Sequence, residues 1–318
     1  MLTTNKQSCL QPYTEQSIDR PLLAIVIPTA RYSPHLVRFI RYLRHTCLEN
    51  DLEIVIVSTI DNPANKLYRK LCDIEGCKLL ILERRPGEDM RSKQMNIGVL
   101  HCTAEYVYII ADDMFVSCSL LSSLRKILQE RRPDAVLHAT LPYPVSIWAR
   151  VRMMEKSLSS YNLYQSSCRI VRRDAFVKLK GYREDLVVGE DIEFQDRLLK
   201  LKPRLGVTPI QEGFEVHLGE YVSLSSYIRR AYYYGKYLTR LTRVISRSKI
   251  FHSYVATPLP IPQLIRIFRL YALPYAVYKV VMAMAAICGR LSEILSYSQN
   301  RVKVKLDRKT NTALSTET

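Results

Sequence analysis

The sequence predicts an α/β fold, a mostly parallel sheet flanked by helices, with a basic and apolar helical extension at its C-terminal end. Three observations predict it. Apolar runs without polar alternation recur between residues 22 and 110, as strands buried on both faces require. Stretches with apolar residues at helical spacing separate them. Positive charge gathers in the last third of the chain, around its longest apolar stretch.

The elements follow in order. Leu22 to Thr29 is a continuous apolar run ending at Pro28-Thr29 and reads as the first buried strand. In 35–44 the apolar residues Leu36, Phe39, Ile40 and Leu43 form a helical stripe. A second strand spans 52–57, with the polar loop Ser58 to Asn65 behind it, and a helix over 64–73 leads to a strand over 78–83. The polar stretch Arg84 to Arg91 precedes a helix through Gln94–Leu100, and a strand from Tyr106 to Ile110 ends at Ala111-Asp112-Asp113. A helix over 117–131 and a strand over 134–140 complete the regular part. Later, Arg169 to Asp174 precedes a short helix ending at Gly181, and Gly189-Glu190-Asp191 opens a helix to Leu201. Repeated strand–helix alternation makes the sheet mostly parallel, and ligands of such sheets sit beyond the carboxyl ends of the strands. Pro28-Thr29, Ser58 to Asp61 and Asp112-Asp113 lie at those ends.

At 318 residues, 47% hydrophobic and 24% charged, the chain is a folded protein of one large domain with an appendage or of two modest domains. No internal repeat occurs at a fixed period. The expected organisation is a loose arm over 1–20, a body over 21–224, a basic and apolar helical region over 225–297 and a disordered basic tail over 298–318. The net charge is +17; residues 225–318 carry 16 basic and 3 acidic side chains, so the body is close to neutral. Such asymmetry suggests an anionic partner, lipid headgroups or nucleic acid. The positive charge lies beside an apolar span and on no recognisable nucleic-acid module, so nucleic acid is set aside. Eight cysteines form no CxxC pair or zinc spacing, and the polar N-terminus has no apolar core of a secretory signal; free, mostly buried thiols in a reducing compartment are expected.

Two acidic spots stand out. Asp112-Asp113 ends a buried strand, where two neighbouring carboxylates repel one another unless they cap the following turn or hold a hard cation with phosphate oxygens. Glu190-Asp191 opens a helix, where acids cap the N-terminus or an Asp accepts a proton from an attacking hydroxyl.

The order of the pieces resembles a family 2 glycosyltransferase with the GT-A fold. The resemblance rests on Ala24–Thr29, Glu53–Val57, Lys93–Gly98, Glu105–Asp113 in the place of the DxD strand, Cys168–Arg173, Gly181-Tyr182, Gly189-Glu190-Asp191 as the ED motif, Val216-His217 and Tyr232–Lys236, all within about residues 20–240. It implies a nucleotide-diphosphate sugar lying across the strand ends. Asp113, with Asp112 and His217, would bind a divalent cation, Mn²⁺ or Mg²⁺, that bridges the diphosphate. Pro28, Thr29, Asp61, Lys93, Asn96, Asp112 and Glu190 would contact the donor, and Arg91 would add positive charge. Asp191 would deprotonate the acceptor for in-line, inverting attack. Two departures are visible: the carboxylates are adjacent, with Ala111 and Met114 on either side, and Ser58-Thr59 stands where the family often has Asp-Asp, with Asp61 nearby. A catalytically silent GT-A domain that binds a nucleotide sugar or a partner is the alternative.

The C-terminal third points to a membrane surface. Leu270 to Cys288 contains one charge, Lys279, and also Pro274, which suits an interfacial or re-entrant segment better than a crossing. The expected acceptor is a saccharide or a polyprenyl-phosphate-linked glycan used in polysaccharide biosynthesis, met at the cytoplasmic side of an anionic membrane.

Overall fold

The structure, a computed structural model, describes residues 20–47, 51–85, 88–158, 167–208, 212–218, 223–245 and 273–294. The expected arm (save Arg20), the tail over 298–318 and the stretch 246–272 lie outside the described residues.

The predicted alternation is present. Strand β1 (Leu23–Pro28), helix α1 (Pro34–His45), β2 (Glu53–Thr59), α2 (Asn65–Glu75), β3 (Lys78–Leu82), α3 (Arg91–Leu100) and β4 (Tyr106–Ile109) follow one another. Helix α1 starts where expected because Ser33 caps it, its hydroxyl accepting from the Leu36 N–H at 3.3 Å, and Pro34 opens its first turn. Next come β5 (Met114–Val116), α4 (Cys118–Arg131), β6 (Ala135–His138), β7 (Thr140–Pro142) and α5 (Ile147–Leu158). Strand β8 (Ser167–Arg172), α6 (Arg173–Lys178), α7 (Glu190–Lys200), β9 (Leu205–Val207), β10 (Glu215–His217) and α8 (Leu224–Thr242) complete the body, and a last helix, α9, covers 273–294.

Seven strands form one sheet in the order β3-β2-β1-β4-β8-β6-β9, in which β8 alone runs against its neighbours. Both faces are covered. Ile25, Ile27, Ile54 and Ile56 point into a core with α1, α2 and α4, while Ala24, Val26, Val55 and Val57 point into a second core containing Met95, Phe176 and Phe194. Consecutive side chains alternate between two apolar layers, which is why the strands read as unbroken apolar runs.

A second sheet of three short strands, β5-β10-β7, stands beside the first and was not visible in the sequence. The single strand expected over 134–140 divides between the two sheets: β6 stays in the large one, with a register irregularity between Val136 and His138, and β7 joins the small one. The expected free thiols are corrected for four of the eight cysteines, which pair as Cys47–Cys118 and Cys72–Cys77; Cys102, Cys168 and Cys288 are free. Packing of the end of α1 against the start of α4 brings Cys47 and Cys118 together from 71 positions apart, a proximity that spacing alone does not reveal.

The sequence reads 225–250 as a basic helix rich in tyrosine; α8 covers Leu224–Thr242, and 246–250 lie outside the described residues. Helix α8 packs with α5 and α9 around Tyr227, Tyr275 and Tyr278. Among the described residues, no helix is long and apolar enough to cross a membrane.

Candidate active site

The site is built where β1, β2 and β4 end. The Thr29 N–H donates to the Val57 carbonyl at 2.9 Å, and the Gln94 amide donates to the carbonyls of both Thr29 and Val57 at 2.8 Å each. Gln94, buried at the first turn of α3, thus holds two strand ends together. Thr29 donates its hydroxyl to an Asp112 carboxylate oxygen at 2.7 Å, and Ser33 donates to the Asp112 carbonyl at 2.8 Å. Burial raises the Asp112 pKa above the ordinary carboxylate value, opposed by the Thr29 hydroxyl and the charge of Arg31. Asp112 therefore faces the loop after β1.

Asp113 faces the small sheet instead. Its carbonyl accepts from the Leu218 N–H at 2.8 Å, and His217 Nε2 lies 3.4 Å from its carboxylate. Met114 pairs with His217 across β5 and β10, which sets that approach. The adjacency of the two aspartates sends their side chains to different partners.

Below Asp113 lies a polar cluster that the motifs did not single out. Glu215, 1% exposed, accepts from the hydroxyls of Tyr108 and Thr140, and Arg169 Nη1 donates to it at 3.0 Å. The same nitrogen lies 3.1 Å from the Met114 sulfur. Burial opposes the charge on Arg169, but Glu215 and Asp191 together hold its pKa above the ordinary value. Arg169 therefore lies against the strand that follows Asp113 and also within reach of the field of Asp191. The available signal was an arginine beside the apolar pair Ile170-Val171 of β8 and an acid at the start of β10; nothing local links the two.

Asp191 sits half-buried in the first turn of α7, where its carboxylate accepts from the Ile192 N–H at 2.9 Å. A negative charge is favoured there by the helix dipole. Glu190 beside it is buried and pairs with Arg91 at 2.7 Å, and Arg91 also donates to the Val187 carbonyl at 3.2 Å. Burial, only partly offset by Arg91 and reinforced by the charge of Asp191, lifts the Glu190 pKa to about 7. Its Oε2 has no hydrogen-bond partner among the described residues.

The remaining sequence candidates are placed as follows. Pro28 ends β1 opposite Val57. Asp61 is exposed, 3.3 Å from Arg84, its pKa lowered by the Thr59 hydroxyl and by Arg84. Lys93 lies 3.6 Å from Glu88. Asn96 clamps the loop before α7: its amide nitrogen donates to the Tyr182 carbonyl at 2.9 Å, and its oxygen accepts from the Tyr182 N–H at 2.8 Å. That places Asn96 on the support of the ED segment.

The donors suit a divalent cation only in part. Among the described residues, no group of three or more His, Cys, Asp or Glu is placed to hold a metal. Asp113 and His217 offer one carboxylate and one imidazole nitrogen, a set that fits a cation whose other positions are filled by phosphate oxygens and water.

A sheet whose strand ends gather these acids is joined by a sequence match: the family model described as glycosyl transferase family 2 covers residues 24–188. This chain belongs to glycosyl transferase family 2. The match covers Thr29, Asp112, Asp113 and Arg169 and stops just short of Glu190 and Asp191. As expected of a family 2 glycosyltransferase, the fold resembles solved members of the GT-A class. The mannosyltransferase PcManGT from Pyrobaculum calidifontis, solved with GDP-Man and Mn²⁺, is 15% identical at a TM-score of 0.56, covering 86% of this chain and 87% of its own. S. aureus TarS 1–349 is 17% identical at a TM-score of 0.48, covering 87% of this chain and 91% of its own. No curated protein sequence matches this glycosyltransferase.

Proposed function

We propose that this family 2 glycosyltransferase moves a sugar from a nucleoside-diphosphate sugar to a saccharide or polyprenyl-phosphate-linked acceptor, with inversion at the anomeric carbon. The observation that carries the reading is Arg169, which touches Met114 beside Asp113 and carries a charge stabilised by Asp191. One guanidinium thus relates the two acidic spots, as a shared groove requires. A protein of the same fold was solved with GDP-Man and Mn²⁺, which supports a nucleotide sugar and a divalent cation here.

In this reading, Asp191, in the first turn of α7, accepts the proton of the attacking acceptor hydroxyl. For a phosphate acceptor, already ionised, Asp191 only orients it. Thr29 and Asp112 shape the nucleotide end, with Pro28 and Asp61 at its rim. Asp113 and His217 would hold the divalent cation, which when bound supplies positive charge to the departing diphosphate. Arg91 and Lys93 add positive charge along α3, and Glu190 keeps Arg91 in place. The proposal puts the enzyme at the cytoplasmic side of a membrane, which the net charge of residues 225–318 supports, while the pairs Cys47–Cys118 and Cys72–Cys77 count against a reducing compartment.

The test is a panel of nucleotide sugars scored by thermal shift with and without Mn²⁺, followed by transfer assays with the donor that binds. Asp191→Asn is expected to lower kcat at least 100-fold, as loss of a general base does, with little change in the donor KM. An Asp191→Asn enzyme that keeps wild-type kcat on a hydroxyl acceptor would remove Asp191 from the chemistry.

A further inference from the structure

Helix α9 presents an unusual outer face. Its inner side lies on α8 so closely that a Cβ on Gly289 would overlap the Tyr232 carbonyl, and one on Gly235 the Ala286 carbonyl. Lys279 turns inward to the buried Glu155, whose carboxyl it and Arg152 hold at a pKa of about 2 against the opposing effect of burial. Outward point Leu273, Val277, Val280, Met284, Ile287 and Leu291, each exposed and Leu273 as much as 75%. They follow one another by steps of four, three, four, three and four, a single stripe about 27 Å long at 1.5 Å per residue.

Three further residues of α9 are exposed: Ile294, which continues the stripe by a step of three, and Ala276 and Cys288, which border it. The three charged residues described in α9, Lys279, Arg290 and Glu293, are all half-buried, so none of its exposed residues is charged. Apolar surface of this extent on a soluble face marks a partner. The bordering residues decide which partner. A helix pairing with another helix in water flanks its apolar seam with Glu and Lys; Ala276 and Cys288 give no such flank. A helix lying in a bilayer interface needs an uninterrupted apolar face with positive charge around it. Arg229 and Arg240 of α8 are exposed, and residues 225–318 carry a net charge of +13. Among the described residues, no helix is long and apolar enough to cross a membrane, and the proposal lays α9 in the plane of the leaflet.

We propose that the outer face of α9 is a docking surface for an anionic lipid leaflet, its apolar stripe below the headgroups and exposed basic residues of α8, Arg229 and Arg240, among them. The proposal rests on the face and its charge surroundings and not on the catalytic reading, so its test uses no activity. The full chain is mixed with vesicles of phosphatidylcholine alone or with 30% phosphatidylglycerol and floated through a density gradient. Wild type is expected to float with the anionic vesicles and far less with the neutral ones. The variant Val280→Glu/Met284→Glu/Ile287→Glu is expected to lose at least tenfold in partition coefficient while keeping the wild-type circular dichroism and melting temperature. A milder set, Val280→Ser/Met284→Ser/Ile287→Ser, is the control against misfolding and is expected to fall between the two. Wild type that stays at the bottom of the gradient, or a folded glutamate variant that floats as well as wild type, overturns the proposal. A wild-type dimer by light scattering that the glutamate variant converts to monomer, with flotation unchanged, overturns it in favour of a second copy of the chain.

Discussion

Burial of single charges governs the site. Glu190 binds its proton more tightly in the folded chain, at about 7, than in the unfolded chain at its ordinary value of 4.5. The folded state therefore holds more protons than the unfolded one between those values. Its contribution to stability is whole below pH 4.5, falls as pH rises to about 7 and is flat beyond. Glu190→Gln is expected to remove that fall, worth on the order of 1–3 kcal/mol, which urea unfolding at pH 5 and pH 8 would read. Arg169 and Glu215 act differently. Replacing Arg169 by Met strands a carboxylate that is 1% exposed, a change that costs roughly 3–5 kcal/mol. Changing Glu215 to Gln in the same chain is expected to recover most of that loss, and a double-mutant cycle in urea checks the coupling. Neither residue was legible as a pair, because 46 positions separate them and each taken alone is an ordinary charged residue.

Elements were legible in proportion to their length. Strands β1, β2 and β4 and helices α1 and α4 carry enough apolar residues to show a period, and they lie within a residue or two of where the sequence predicts them. Strands β5 and β10 have three residues each, too few for any period, and they pair across about 100 positions. The stretch 134–140 was read as one strand because both halves are apolar and buried; the register irregularity that divides it belongs to its neighbour β8 as much as to its own residues. Helix α3 shows how an element positions the site. A Cβ on Gly98 would overlap Val26 Cγ1 and come within 2.9 Å of Val57 Cγ2, so only glycine lets α3 lie against β1 and β2 with Gln94 at their ends. Gly98→Ala is expected to cost roughly 1–3 kcal/mol through overpacking, less the helix propensity that alanine gains. A rise in melting temperature would contradict the close approach.

At the scale of the molecule, the Cys47–Cys118 bond ties the turn after α1 to the first residue of α4, helices that follow the strands β1 and β5 next to Thr29, Asp112 and Asp113. Cross-linking over 71 positions stabilises by about 2–4 kcal/mol, largely by restricting the unfolded chain. Cys47→Ser is expected to lower the melting temperature under non-reducing conditions and to change nothing once reductant is present; alkylation before and after reduction, read by mass, checks the pairing directly. The free-thiol expectation failed because cysteine spacing contains no information on which helices pack together.

The sequence by itself determined the class of fold, the order of the long elements, the two acidic spots and the family resemblance, since each is written in local pattern: apolar period, strand-end acids and motif order. Only the tertiary structure decided the small sheet that brings His217 to Asp113, the buried Arg169–Glu215 pair, the cysteine pairing and the exposed face of α9. Each of those depends on contacts between residues distant in the chain, or on which side of a helix its neighbours leave uncovered, and neither has a local signature.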